Sequence, residues 1–212
     1  MMKAFALASA LVLSAAAGTA QASTMVPLSG IFHINIYSGA AGTSATESNV
    51  SGSTMTSSVT YTGLLDFAVN LPQSQSGTTI AQFLGTGSGS YVVNSGSAAL
   101  GNLLSQPSFA LTTLFDITGG LLINATTSVS LTHDDGVSFC QASCDSGHSA
   151  PTSAVTDAFA ASGGAYRIIY AATNGNPSIL QGMATVPVPA AGVLLMGGLA
   201  GFGLLKRRRR AA

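Results

Sequence analysis

Four consecutive residues, His133-Asp134-Asp135-Gly136, set an imidazole and two carboxylates ahead of a glycine. Two readings fit. As a turn, the aspartates cap main-chain N–H groups and the glycine supplies a positive φ. As a metal site, adjacent carboxylates at a loop tip suit a hard cation that takes six or more oxygens, which points to Ca2+ at Asp134 and Asp135. Further oxygens would then come from a second loop, with Asp145 and Asn174 as the candidates. Downstream, Cys140 and Cys144 are the only cysteines. They read as a disulfide that pins a small loop. With His148 the C-x3-C-x3-H spacing also offers three ligands to zinc, without an evident fourth.

Catalytic patterns are sparse. The histidines are His33, His133 and His148, and Glu47 is the only glutamate. There is no G-x-S-x-G, H-E-x-x-H or phosphate-loop motif. Adjacent aspartates cannot flank a glycosidic bond as a hydrolase's carboxylate pair must. No catalytic residue is assigned, and the expectation is a protein that is not an enzyme. A secreted hydrolase would need a pocket holding a His near a Ser and an Asp.

Partners follow from charge. Charged residues make up 7% of the 212-residue chain, whose formal net charge is zero. The cations sit at the two ends, Lys3 and Lys206 to Arg210, apart from Arg167. The stretch between carries all seven acids, so it repels a phosphate backbone and excludes nucleic acid as a partner. A cation or a neutral polysaccharide is not repelled.

The elements that would hold these residues are strands. Gly30–Gly39 alternates apolar and polar positions, and Tyr61–Pro72 reads as a second strand region ended by its proline. Gly85–Asn94 reads as a turn into a strand, since no Lys and no helix follow its glycines. From Ser108 onward, β-branched and aromatic runs alternate with turn residues, including Asn174-Gly175-Asn176-Pro177. Residues 40–60 read as a Ser/Thr/Gly-rich loop, and residues 153–162 as a short helix. The fold class is all-β: an antiparallel, jelly-roll-like β-sandwich over residues 23–185.

Both ends read as addresses. Lys3, an apolar run to Ala17 and Ala20-Gln21-Ala22 make a secretory signal peptide over residues 1–22, cut by signal peptidase between Ala22 and Ser23. Ala190 to Leu205 has no charged side chain and spans about 24 Å as a helix. With Val186 to Pro189 it is long enough for one transmembrane helix, stopped by Lys206, Arg207, Arg208, Arg209 and Arg210. Gly197 and Gly201 have GxxxG spacing, the background of a Gly/Ala-rich span.

The order of a Val186-Pro187-Val188-Pro189-Ala190 box, a Gly/Ala/Leu span and an arginine cluster resembles the PEP-CTERM family of sorting signals in its VPLPA variant, with Val188 where Leu is commoner. The resemblance implies an exosortase-type membrane peptidase that removes residues 186–212 in part and passes a membrane-tethered intermediate to the cell surface or extracellular matrix. A permanent single-pass anchor is the alternative. The segment from Thr113 to Gln181 is similar to the protective-antigen-type insert domain, a lectin-like β-sandwich of bacterial toxins and flocculin-type adhesins. Asp134-Asp135-Gly136 stands at that family's turn, whereas Val129-Ser130-Leu131 replaces its frequent aromatics and Trp is absent. This resemblance implies carbohydrate or surface recognition. Together the features lead to an exported structural or adhesive component of matrix or biofilm, then to a Ca2+-assisted carbohydrate-binding module, then to a secreted hydrolase.

Overall fold

A computed structural model describes residues 23–72 and 77–188. In chain order its elements are β1 (Ser23–Pro27), β2 (Ser29–Gly39), helix α1 (Glu47–Gly52), β3 (Thr54–Leu64), β4 (Asp66–Val69), helix α2 (Ile80–Leu84), β5 (Ser90–Ser95), β6 (Thr112–Thr118), β7 (Leu121–Leu122), β8 (Ser128–Asp134), β9 (Gly136–Cys140), β10 (Cys144–Asp145), β11 (Val155–Ala160), β12 (Gly164–Ala165), β13 (Arg167–Ala172) and β14 (Ser178–Pro187). Met25–Val186 forms one compact unit.

Period-two alternation builds the core. Phe32, Ile34 and Ile36 of β2 turn inward, as do Phe115 and Ile117 of β6 and Ile168 and Tyr170 of β13. They belong to a seven-stranded sheet in the order β10-β9-β13-β6-β2-β3-β5. A five-stranded sheet, β1-β14-β8-β11 with β4 also on β14, supplies Phe67, Val129, Leu131, Phe159 and Leu180 to the same core. Every pairing with a defined register is antiparallel. The chain is therefore an all-β antiparallel sandwich. Helix α2 plugs the core between the sheets: Phe83 packs against Phe67 from one side and against Phe115 and Tyr170 from the other. Each such fully buried ring is worth about 1.5–3 kcal/mol. A capping box, Thr79 with Gln82, starts this five-residue helix.

Two strand pairs change sheets at one corner. Leu28 separates β1 from β2 and Leu65 separates β3 from β4, and both bond the main chain of Gly182 in β14. A Cβ at Gly182 would lie 2.6 Å from a Leu28 methyl, so a larger residue there would push the Leu28 side chain aside.

Two sequence expectations are corrected. Residues 40–60 are not a loop throughout: 47–52 form α1 and 54–60 belong to β3. Thr56, Ser58 and Thr60 take the outer positions of a strand whose inner positions are Ser57, Val59 and Tyr61, a pattern with only two apolar markers. Residues 153–162 hold no helix. Val155–Ala160 is β11, because pairing to β8 overrides the helix propensity of its alanines. Signal residues 1–22, including Ala22, lie outside the described residues, as do Pro189, Ala190, the span and Lys206 to Arg210. Ser23 opens β1, and Val186 and Pro187 end β14, followed by Val188. Among the described residues no helix is long and apolar enough to cross a membrane.

Candidate functional site

The antiparallel registers bring several chain reversals to one end of the sandwich. There β2 ends, β6 begins, β13 ends and β9 begins in one sheet, while β8 ends and β14 begins in the other. Asp135 is the single residue between β8 in one sheet and β9 in the other, since Asp134 still pairs with Ile179 and Gly136 already pairs with Ala171. The Asp134–Asp135 peptide bond is cis. Gly136 has no positive φ, contrary to the turn reading. It is glycine because the Ser149 carbonyl oxygen lies 2.1 Å from where a Cβ would be.

The crossing leaves both carboxylates buried, Asp134 at 7% exposure and Asp135 at 3%. Asp135 Oδ2 accepts the Thr173 N–H at 2.7 Å. Tyr170 donates its hydroxyl to the Asp134 main-chain oxygen. Burial raises the Asp134 carboxyl to about 6, against a hydrogen bond from Ala154 and the charge of His133. Burial pushes Asp135 further, to about 8; the Thr173 bond lowers it and the neighbouring Asp134 adds to the rise.

His133 fixes the crossing from behind. It is fully buried, with Nδ1 2.5 Å from the Asp135 main-chain oxygen and Nε2 3.2 Å from Asp157 Oδ2. Both ring nitrogens thus lie against oxygens of neighbouring residues. Asp157 also accepts from the His148 main-chain N–H (2.6 Å) and bonds its ring at 2.8 Å. Burial would raise the Asp157 carboxyl, but these bonds from His148 and His133 hold it below the usual carboxylate range. Only the β8–β11 pairing shows that His133 and Asp157 meet, and nothing in the residue spacing signals it.

Asp134 and Asp135 line an open cleft of about 340 Å3 together with Asn174, Asn176 and Phe109. Its second wall is the expected turn, in which Asn174 (φ 63) and Gly175 (φ 88) take left-handed conformations. Asn174 is thus brought to the carboxylates. Asp145 is not: it pairs with Phe139 in β10 and does not line the cleft. Asn176 and Phe109 escaped sequence reasoning, although Asn176 belongs to the turn already singled out. The zinc alternative is corrected as well. Cys140 and Cys144 form a disulfide, which consumes both thiolates, and the His148 ring is held by Asp157. Among the described residues no three His, Cys, Asp or Glu side chains are placed to share one ion.

The donor set at the crossing nevertheless fits a hard cation. Two carboxylates line one cleft as oxygen donors of the kind Ca2+ accepts, beside Asn174 and Asn176, whose amide oxygens already accept from the Ser108 N–H and the Thr78 hydroxyl. Arg167 is the one Lys or Arg among the described residues, and it is committed elsewhere, to Asp116 and Glu47.

No family model matches the sequence, and no curated protein matches it. Solved structures similar to it include two PA14 domains. One is the PA14 domain of the MpAFP antifreeze protein, at 14% identity over 78% of this chain and 85% of that one, with a TM-score of 0.48. The other is a PA14 sugar-binding domain from an RTX adhesin, at 18% identity over 73% of this chain and 88% of that one, with a TM-score of 0.47.

Proposed function

We propose that this chain is an exported surface or matrix protein whose sandwich binds carbohydrate with the help of Ca2+ held by Asp134 and Asp135. One observation carries the reading: two buried, adjacent carboxylates line an open cleft with no Lys or Arg among the described residues to neutralise them. Left alone, that arrangement opposes ionisation. A divalent cation reverses the balance and offers its remaining coordination positions to ligand hydroxyls. Asn174 and Asn176 would add amide groups at the same rim, and the acidic body would not repel a neutral polysaccharide. Adhesion within a matrix or biofilm is the use to which such a module is suited.

The ends carry the remainder of the proposal. Signal peptidase acts after Ala22, and an exosortase-type peptidase acts at the Val186 to Ala190 box, with Lys206 to Arg210 as the stop-transfer cluster. One expression experiment tests both parts. The full chain is produced in a host with an exosortase, and the exported form is weighed and applied to immobilised glycans. Its mass should start at Ser23 and lack the arginine cluster, and its glycan retention should vanish in EDTA. Equal retention with and without chelator sinks the cation-assisted reading; an uncut C-terminus sinks the sorting reading.

A further inference from the structure

The ring of Phe109 is out of keeping with the rest of the molecule. Phe32, Phe67, Phe83, Phe115, Phe139 and Phe159 are all at most 3% exposed, whereas Phe109 is 41% exposed. Its backbone is unusual too. Ser108 has φ 60 and Phe109 φ 58, two consecutive non-glycine residues in the left-handed region. That conformation costs about 1–2 kcal/mol per residue and persists only where the surroundings impose it. Burial of the ring offsets this cost only in part, because the residue is 41% exposed.

What imposes it is the opposite wall of the cleft. The Ser108 N–H donates to Asn174 Oδ1 at 3.1 Å. Ser105 donates its hydroxyl to the Gly175 oxygen at 2.9 Å, and Thr112 to the Thr173 hydroxyl at 3.0 Å. Gly175 approaches Pro107 so closely that a Cβ would sit 3.3 Å from the proline ring. The segment from Ser105 to Thr112 is thus laced to the turn that faces Asp134 and Asp135, and the lacing displays Phe109 on the rim of the same cleft.

We infer that Phe109 is the platform on which the apolar C–H face of a pyranose stacks while the sugar's hydroxyls face the Asp134–Asp135 end of the cleft. This inference rests on the carbohydrate reading above and narrows its ligand. The sugar must present adjacent hydroxyls on one edge and a flat, hydroxyl-poor face beside it. An aromatic wall with a few convergent polar groups is the usual make-up of a site that orients such an amphipathic ring.

The test uses the full chain with the methyl glycosides of glucose, galactose, mannose and fucose as probes. Phe109→Ala and Phe109→Leu are compared with Phe109→Tyr, the leucine keeping apolar bulk without a π face. Affinity for the preferred glycoside should fall about tenfold or more in the Ala and Leu variants and return in the Tyr variant. The Ca2+-induced rise in Tm should be the same in all four proteins. Saturation transfer from aromatic protons should be strongest at the C–H protons of one sugar face. If Phe109→Leu binds within about twofold of the wild type, the platform is overturned while the cation site stands. Loss of sugar binding and Ca2+ response together in both the Ala and Leu variants would make Phe109 a structural residue and overturn it as well. If the wild type binds none of the four glycosides yet keeps its Ca2+ response, the carbohydrate reading itself fails and the platform falls with it.

Discussion

Asp116 and the Asp134–Asp135 pair are buried to similar degrees, yet their surroundings differ in one respect. Asp116 sits on the outer face of the seven-stranded sheet, where Arg167 grips it with Nε at 2.6 Å and Nη2 at 3.2 Å and reaches Glu47 of α1 with Nη1 at 2.8 Å. That charge is matched by the protein itself, and the match fastens α1 over a small second core of Ala45, Val50, Leu114 and Ile169. Asp134 and Asp135 have His133 behind them and an open cleft in front, with no Lys or Arg. An acid whose cation is built in is a structural pin. An acid pair with no Lys or Arg beside it among the described residues is, on the reading proposed above, a place for a cation from outside.

The largest expected effect breaks the pin. Arg167→Met leaves Asp116 with an uncompensated charge that is only 11% exposed at the side chain. Removing one partner of a buried pair costs about 3–5 kcal/mol, and the 26% exposure of Arg167 lowers the expectation to about 2–3 kcal/mol. A denaturant midpoint measures it, and the loss should be the same with Ca2+ or EDTA present. A loss confined to EDTA would mean that the two acidic regions are coupled, and the contrast between them would collapse.

The pair behaves in the opposite way. Asp134→Asn with Asp135→Asn removes two charges that the cation-free protein holds poorly, so it should not destabilise that state. It should abolish the stabilisation by Ca2+. At about 10 mM Ca2+ and a dissociation constant of about 10⁻⁴ M, that stabilisation is roughly 2.7 kcal/mol, a Tm rise of about 5–10 °C. A melting scan of the wild type and the double variant decides it: equal shifts in both would reduce the calcium effect to general screening.

Much of this contrast was legible in the residues. Alternation in Gly30–Gly39 marked β2, and the turn residues around Asn174 marked one wall of the cleft before any fold was known. Cys140 and Cys144 were readable as a disulfide because they are the only two cysteines and lie close in sequence. What stayed hidden depends on distance across the sheets. The partners of Arg167 are 51 and 120 residues away, and His133 meets Asp157 only through the β8–β11 register. Phe109 had no signal, since an aromatic in a β-rich stretch is ordinarily core, and only the lacing of two loops puts it in solvent. Helix α2 was silent for the related reason that five residues give too little periodicity to see, although its capping box stands in the sequence.

The smallest effect is the most diagnostic of the pair's unmet charge. Without Ca2+, burial holds Asp134 at about 6 and Asp135 at about 8, both above the ordinary 3.8. Between these values and the unfolded pKa, the folded protein binds protons that the unfolded chain has released, so stability must fall as pH rises. The contribution is fully present below the unfolded pKa and is lost through about pH 6 and then about pH 8. Below about pH 6 both groups contribute, so the slope there can approach twice the roughly 1.4 kcal/mol per pH unit of one titrating group, and from about 6 to about 8 only Asp135 contributes; water reaching the cleft narrows that window. Bound Ca2+ keeps both ionised and should flatten the slope, so stabilisation by Ca2+ should grow toward alkaline pH. Denaturant midpoints in EDTA at about pH 5, 6.5 and 8, beside the same series in about 10 mM Ca2+, read the difference. Parallel curves in the two series would show that the pair already has its counter-charge and that the cleft has no place for a cation.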